Sequence, residues 1–170
     1  MSKPTEQGVL KTPPEEEMAL MCVNGNAERV QELLEYGVDP NHYGEERSFL
    51  YLAAENGHHV IVSKLVRSGA QVQRTHLGAA IRGGNPYCAD KVLDELFYAG
   101  TEIDLPHLGH ELMLARGEAA KSTPKMLKWL AEQGVPFTEP DRLGRTVLDV
   151  ARLDGASPEI LRVLEELVGG

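Results

Sequence analysis

The chain has 170 residues, a length that suits one ordinary domain or one short repeat array. Hydrophobic residues make up 42% and charged residues 25%, as in globular proteins, so extensive disorder is excluded. The net charge of −9 disfavours binding to nucleic-acid phosphates and to anionic membranes. Ten of the 26 acidic residues fall within the first fifty positions. This acidic end favours a basic protein partner, with solubility as the alternative explanation.

The two cysteines and the N-terminal residues show no pattern of a disulfide framework, a zinc site or a signal peptide. Cys22 and Cys88 are 66 positions apart and form no CxxC or Cys/His metal-ligand pattern. Cys22 falls in an apolar helix pattern and is expected in the core, whereas Cys88 lies beside an insertion and is a candidate for exposure. No signal-peptide core and no apolar run of membrane-spanning length occur, so we expect a cytoplasmic location.

Five segments along the chain repeat one pattern. Each is a short amphipathic helix with Leu or Val on one face, followed by a glycine that can end the helix. These glycines are Gly37, Gly69, Gly100, Gly134 and Gly169. A second apolar stretch precedes each segment, starting near Met18, Phe49, Leu77, Leu112 and Val147. Because one helix pair cannot bury its apolar face alone, the pattern predicts an all-α solenoid of stacked helix-turn-helix units.

The repeat also predicts the organisation of the chain. We expect a polar tail at residues 1–12 and an array over residues 13–170. The units are predicted at residues 13–41, 42–73, 74–104, 105–138 and 139–170. Insertions at residues 85–89 and 118–124 lengthen two units, and each predicts a longer second helix or a protruding loop. Pro124 suits the first turn of the helix that follows the second insertion.

Four segments carry a family resemblance. Residues 48–58 read SFLYLAAENGH and residues 68–72 read SGAQV, while residues 141–151 read DRLGRTVLDVA. They resemble the ankyrin repeat family, with its T-P-L-H-x-A-A-x-x-G-H and D-x-x-G-x-T-P-L-D-x-A patterns. Residues 37–41, GVDPN, are similar to the family's G-A-D-P-N. The resemblance implies an ankyrin-type solenoid with projecting fingers that binds other proteins and is not an enzyme.

The sequence departs from the family pattern at the start of each first helix. No unit keeps the family's proline at the second position of T-P-L-H. The family's Thr–His hydrogen-bonded pair is also missing from the aligned positions, which are Ser48/Tyr51, Thr75/Gly78, His110/Met113 and Thr146/Asp149. We therefore expect the array to be less stable than a consensus array.

One cluster raises the alternative of a metal-dependent enzyme. His107, His110 and Glu111 are suitable zinc ligands, although their spacing is not that of H-E-x-x-H. Pro106 and Gly109 argue against a helix here, so residues 105–110 are predicted to form a projecting finger. A contact surface and an incidental solvated loop are the competing interpretations. No other segment shows a nucleophile elbow or a phosphate-binding loop, and we expect no cofactor.

The resemblance implies that fingers and the exposed face of the first helices contact the partner. Fingers are expected at residues 41–47, 73–76, 105–110 and 139–145, and Arg116 and Arg152 are further groove positions. The partner-contact candidates are Tyr43, Glu45, Glu46, Arg47, Tyr51, Glu55, Arg74, His76, Arg82, His107, His110, Arg142 and Arg145. A solvated loop is the alternative for each finger residue.

The predicted function is that of a non-enzymatic stoichiometric binder or inhibitor that masks another protein. Short stand-alone arrays in the family include inhibitors and bacterial toxin-immunity proteins, so the resemblance implies a role of that kind. A structural homo-oligomer is a further alternative, and we expect a monomer or a weak homo-oligomer.

Overall fold

The structure, a computed structural model, describes residues 12–43, 47–115 and 118–170, with the backbone alone at residues 118–119. Within these ranges the chain is helical and contains no strand. The helices are α1 (Pro14–Asn24), α2 (Ala27–Tyr36), α3 (Phe49–Glu55), α4 (His59–Arg67), α5 (Arg74–Arg82), α6 (Pro86–Tyr98), α7 (Leu105–Leu112), α8 (Glu118–Lys121), α9 (Thr123–Glu132), α10 (Val147–Leu153) and α11 (Pro158–Gly169).

The helices form two stacked rows. The first helices α1, α3, α5, α7 and α10 pack on one another in that order, and they form the inner row. The second helices α2, α4, α6, α9 and α11 form the outer row in the same way. Each first helix turns back on its second helix, with the short α8 inserted between α7 and α9. The all-α helix-turn-helix solenoid predicted from the repeat is confirmed.

The core runs between the two rows. Small residues of the inner row, such as Ala53, Ala54, Ala79 and Ala80, are fully buried and allow neighbouring helices to approach closely. Larger side chains from both rows fill the space between them, among them Phe49, Leu65, Ile81, Leu127 and Leu164. Burial of these apolar surfaces is the main stabilising contribution to a stacked array.

Both cysteines lie in this core. Cys22 is buried as expected, but Cys88 is also completely buried, so the prediction that it is exposed was wrong. Cys88 lies on the apolar face of α6 together with Ala89 and Val92, because the insertion extends the helix instead of forming a loop. Burial raises the pKa of each thiol to about 12, so both are unreactive near neutral pH.

Four of the five repeat glycines end the outer helices as predicted. Gly37, Gly69, Gly100 and Gly134 all have positive φ angles, which glycine adopts without strain. Gly169 differs, because it is the last residue of α11 and is not among the glycines with positive φ. The insertion at residues 85–89 lengthens α6, and Pro124 lies in the first turn of α9 as expected.

The first helices of units three and four begin earlier than the sequence alignment placed them. α5 begins at Arg74 because Gln73 and His76 form a capping box at its N-terminus. α7 begins at Leu105, so residues 105–110 are helical and the predicted finger there was wrong. Pro106 is tolerated because it lies in the first helical turn. Glycine suits position 109 because a Cβ atom there would lie 2.9 Å from Val147 Cγ2 in the neighbouring helix α10.

The same shift restores a hydrogen-bonded pair that the alignment had missed. His76 Nδ1 accepts a hydrogen bond from the Gln73 amide at 2.9 Å, and its Nε2 lies 2.9 Å from Ser48 Oγ of the preceding unit. In unit five, Asp149 replaces histidine and accepts hydrogen bonds from the amide and hydroxyl of Thr146. None of the four aligned positions holds a Thr–His pair, but units three and five contain equivalent pairings, Gln73–His76 and Thr146–Asp149. Reduced stability relative to a consensus array stays a prediction.

The connections between units differ in length along the array. Residues 37–48 and 133–146 are the two long connections, and residues 139–145 form a turn that we call the C-terminal finger. Residues 68–73 and 99–104, which connect the middle units, are half that length or less. Pockets lined by residues of α5 and α7 open where the connections are short.

Candidate partner-binding groove

Two adjoining pockets open along the inner row of helices, and together we call them the groove. The larger has a volume of about 820 Å³ and the smaller about 480 Å³. Arg74, Asp104, His107 and Glu111 line both pockets, so the two form one continuous depression. The C-terminal finger closes the larger pocket on one side, and the short connections leave the groove open in the middle.

A polar network crosses the floor of the groove from α3 to α7. Arg82 donates a hydrogen bond to Tyr51 Oη at 2.8 Å and forms an ion pair with Glu111. The carboxylate of Glu55 lies 4.0 Å from the Arg82 guanidinium, and His107 Nε2 lies 3.3 Å from Glu111 Oε1. These contacts link three consecutive inner helices through the half-buried side chain of Arg82.

Gly78 makes room for this network. A Cβ atom at Gly78 would lie 3.3 Å from both Arg82 Nη1 and Glu111 Oε2. Burial opposes the charge on Arg82, but the Glu111 carboxylate and the Tyr51 hydroxyl outweigh it, and the pKa of Arg82 is raised. Arg82 is therefore a permanent cation held by its own neighbours. Arg82 also fixes the position of the Tyr51 hydroxyl and lies beside the more exposed carboxylate of Glu55.

The C-terminal finger is organised around one carboxylate. Asp141 accepts hydrogen bonds from the amides of Leu143 and Arg145, and from the Arg145 guanidinium at 2.8 and 3.0 Å. The hydrogen bonds from the Arg145 side chain are the main reason that the pKa of Asp141 falls to about 2. Arg145 thus holds the finger in shape, whereas Arg142 and Leu143 are exposed at its tip.

The finger candidates near residue 43 are placed differently from one another. Tyr43 is half-buried and packs edge-on against Phe49, with ring centroids 5.3 Å apart. Arg47 is exposed. Glu45, Glu46 and the groove position Arg116 lie outside the described residues. Tyr43 therefore anchors its connection to the core and leaves only part of its ring for a partner.

His76, a predicted partner-contact residue, is buried. Its side chain is 1% exposed and lies between units two and three, so it cannot contact a partner. The error has the same cause as the shifted start of α5, which turns the predicted finger at residues 73–76 into the beginning of a helix. Its neighbour Arg74 is exposed and faces the groove. Arg152 is paired with Glu165 of α11 at 3.0 Å.

The proposed metal ligands do not converge. His107 and Glu111 are one turn apart on α7, and Glu111 is already paired with Arg82. His110 Nε2 lies 3.4 Å from the Glu139 carbonyl oxygen, towards the C-terminal finger. Among the residues that the structure describes, no group of three or more His, Cys, Asp or Glu is placed to hold a metal ion.

Sequence reasoning missed three features of the groove. Leu114 and Leu143 are 53% and 74% exposed in the larger pocket, but neither was among the named partner-contact candidates. Glu111 was considered as a metal ligand and not as the partner of Arg82. An isolated leucine between polar residues at positions 141–145 was the one signal that could have marked an exposed apolar contact.

Stacked helix pairs with projecting connections and an open inner face define a helical solenoid of the protein-binding class. Residues 17–107, more than half of the chain, match the family described as ankyrin repeats (3 copies). The chain belongs to the ankyrin repeat family, and ankyrin repeats are modules of protein–protein interaction. No curated protein matches the chain. In the part of the chain with described positions, no helix is long and apolar enough to cross a membrane.

Proposed function

We propose that this chain is a non-catalytic, stoichiometric binder that masks the surface of a partner protein in its groove. The observation that carries the proposal is the open middle of the groove, where Arg74, Arg142 and Leu143 are accessible around a pocket of about 820 Å³. Arginine and large apolar side chains at the rim of a concave surface are effective contact residues. A binder without catalytic groups acts by occlusion.

The charge distribution supports a way for the partner to approach. Residues 12–43 contain one basic residue, Arg29, and their acidic residues are Glu15, Glu16, Glu17, Glu28, Glu32, Glu35 and Asp39. Arg29 is already paired with Glu17 and Glu32, at 2.6 Å each. The acidic first unit would steer a partner that is basic overall, as in an inhibitor or toxin-immunity type of protein.

Two unpaired thiols favour a reducing compartment, so we propose that the chain acts in the cytoplasm.

The proposal is tested by affinity capture from source lysate with matched variants. The groove variant carries Arg142→Ala and Leu143→Ala, and the control variant carries Tyr36→Ala and Tyr98→Ala, which are equally exposed positions on outer helices. We expect a protein that is captured by the parent chain and the control in a one-to-one complex and is lost by the groove variant. Equal capture by both variants would contradict the assignment of the groove.

Light scattering of the purified chain at several concentrations tests the structural homo-oligomer. A constant monomeric mass is expected for a masking protein. A stable oligomer that buries the groove would contradict the proposal, because the surface would not be free for a partner.

A further inference from the structure

We infer that the segment of the partner seated in the middle of the groove is acidic and carries a large apolar side chain. The inference rests on the proposed binding function and adds the chemistry of the bound segment. We call its site the notch, defined by Arg74, His107, Leu114, Arg142 and Leu143, all of which line the larger pocket.

The shape of the notch follows from the unequal connections. The long connections at residues 37–48 and 133–146 flank the short ones at residues 68–73 and 99–104. Packed helices lie about 8–10 Å apart, so two shortened connections leave an opening about 20 Å wide. A single helix with its side chains is about 10–12 Å across, and the opening therefore admits a protruding helix or loop directly onto α5 and α7.

The charged side chains that line the groove fall into paired and unpaired groups. Four arginines and three carboxylates line the two pockets of the groove. Arg82 is paired with Glu111, and Arg145 is paired with Asp141. The side chains of Arg74 and Arg142 are exposed and make no hydrogen bond or ion pair to any described residue, so their guanidinium groups are available. The third carboxylate, Asp104, is also exposed, and its side chain does not cap α7.

The surroundings make these two guanidinium groups a site for carboxylates. The inner helices direct their N-terminal ends, which carry partial positive charge, towards the same side of the array as the connections. Four arginines against three carboxylates make the lining of the groove less acidic than the chain as a whole, whose net charge is −9. Guanidinium groups bind carboxylates through charge-assisted, often bidentate hydrogen bonds. An acidic segment is thus complementary to the notch, even when the partner as a whole is basic and is steered by the acidic first unit.

The apolar part of the proposed segment follows from two exposed leucines. Leu114 and Leu143 line the same pocket as the two unpaired arginines. Leaving both exposed to water is unfavourable, and an apolar side chain of the partner would cover them. A small inorganic anion would leave these leucines exposed. A nucleic acid would satisfy the arginines but would be repelled by the net charge of the chain.

The test uses a random dodecapeptide library displayed on phage and selected on the full chain. The notch variant carries Arg74→Glu and Arg142→Glu. The control variant carries Lys128→Glu and Arg162→Glu, on the outer helices α9 and α11, and has the same change in net charge. All four positions are exposed, so thermal unfolding should show that both variants remain folded.

We expect selected peptides rich in Asp or Glu together with Leu, Ile, Met or Phe. Synthetic copies should bind the notch variant at least about tenfold more weakly than the parent, whereas the control should bind about as well as the parent. Enrichment of basic peptides, equal binding to the parent and notch variant, or no enrichment would overturn the inference.

Two results separate this inference from the proposed function. If a partner from lysate still depends on the groove while the peptides do not behave as expected, the binding function stands and the acidic segment is wrong. If neither experiment depends on the groove, both proposals fail. Self-association that is abolished in the notch variant would assign the notch to a second copy of the chain and overturn the inference.

Discussion

Asp141 illustrates how one side chain shapes a contact surface at the scale of single residues. Its carboxylate accepts hydrogen bonds from two amides and from the Arg145 guanidinium, which closes the turn of the C-terminal finger. Arg142 and Leu143 are held outward as a result. Asp141 therefore determines the exposure of Arg142 and Leu143 without being a contact residue itself.

The low pKa of Asp141 predicts how the finger responds to acid. Because its folded pKa, about 2, is below its ordinary value of 3.8, Asp141 contributes stability above pH 4 that is lost as the pH falls towards 2. Asp141→Asn should destabilise the finger at pH 6, and the difference from the parent should shrink between pH 4 and pH 2. Amide hydrogen exchange of Leu143 and Arg145 would measure this.

Asp149 is the matched control for this experiment. It is also a carboxylate with a lowered pKa, but its hydrogen bonds are with Thr146 at the start of α10 and not with the amides of Leu143 or Arg145. Asp149→Asn should leave exchange at Leu143 and Arg145 unchanged. A difference between the parent and Asp141→Asn that stays constant down to pH 2 would refute the role of the Asp141 charge.

At the scale of helices, the close packing of α3 and α5 depends on Gly83. Gly83 has a φ of −67°, so its backbone conformation does not require glycine. A Cβ atom there would, however, contact the carbonyl oxygen of Ala54 and lie 2.8 Å from that of Glu55. Both contacts are with backbone atoms of α3, so the movement of a flexible side chain cannot relieve the clash. The packing of the two helices thus requires glycine for space.

Gly83→Ala should lower the free energy of unfolding by about 1–3 kcal/mol because it overpacks the contact between α3 and α5. Chemical denaturation followed by circular dichroism would measure the change. Gly169→Ala is the control, since a Cβ atom there has no neighbour within 4 Å and alanine favours a helix. The steric explanation would be wrong if both substitutions had the same effect.

The array has a stacked, one-directional arrangement at the scale of the whole molecule. The middle helices α3, α5 and α7 each have inner-row neighbours on both sides, whereas α1 and α11 lie at the two ends of the array. Stability in such arrays is close to a sum of unit and nearest-neighbour contributions, so the ends open more easily than the middle. The groove is accordingly built on the most constrained part of the molecule.

Hydrogen exchange followed by mass spectrometry should show slower exchange in α3 and α5 than in α1 and α11. Arg82→Ala should speed up exchange in the middle of the array, because Arg82 joins α3, α5 and α7. Arg152→Ala removes an exposed ion pair of the last unit and should leave the middle unchanged. Uniform exchange along the chain would contradict the nearest-neighbour description.

The sequence by itself determined the stacked helix pairs, because apolar periodicity and helix-ending glycines are local signals. The same signals placed Cys22 in the core, where the structure has it. The family resemblance added the expectation of a protein-binding groove.

Only the tertiary structure decided which surface is available. The starts of α5 and α7, the burial of His76 and Cys88, and the division between paired and unpaired arginines all depend on contacts with neighbouring units. Ser48 meets His76 across 28 positions, and Arg82 meets Glu111 across 29. A local pattern cannot distinguish Arg82 from Arg74, because their difference lies in the carboxylate that the next unit brings to one and not to the other.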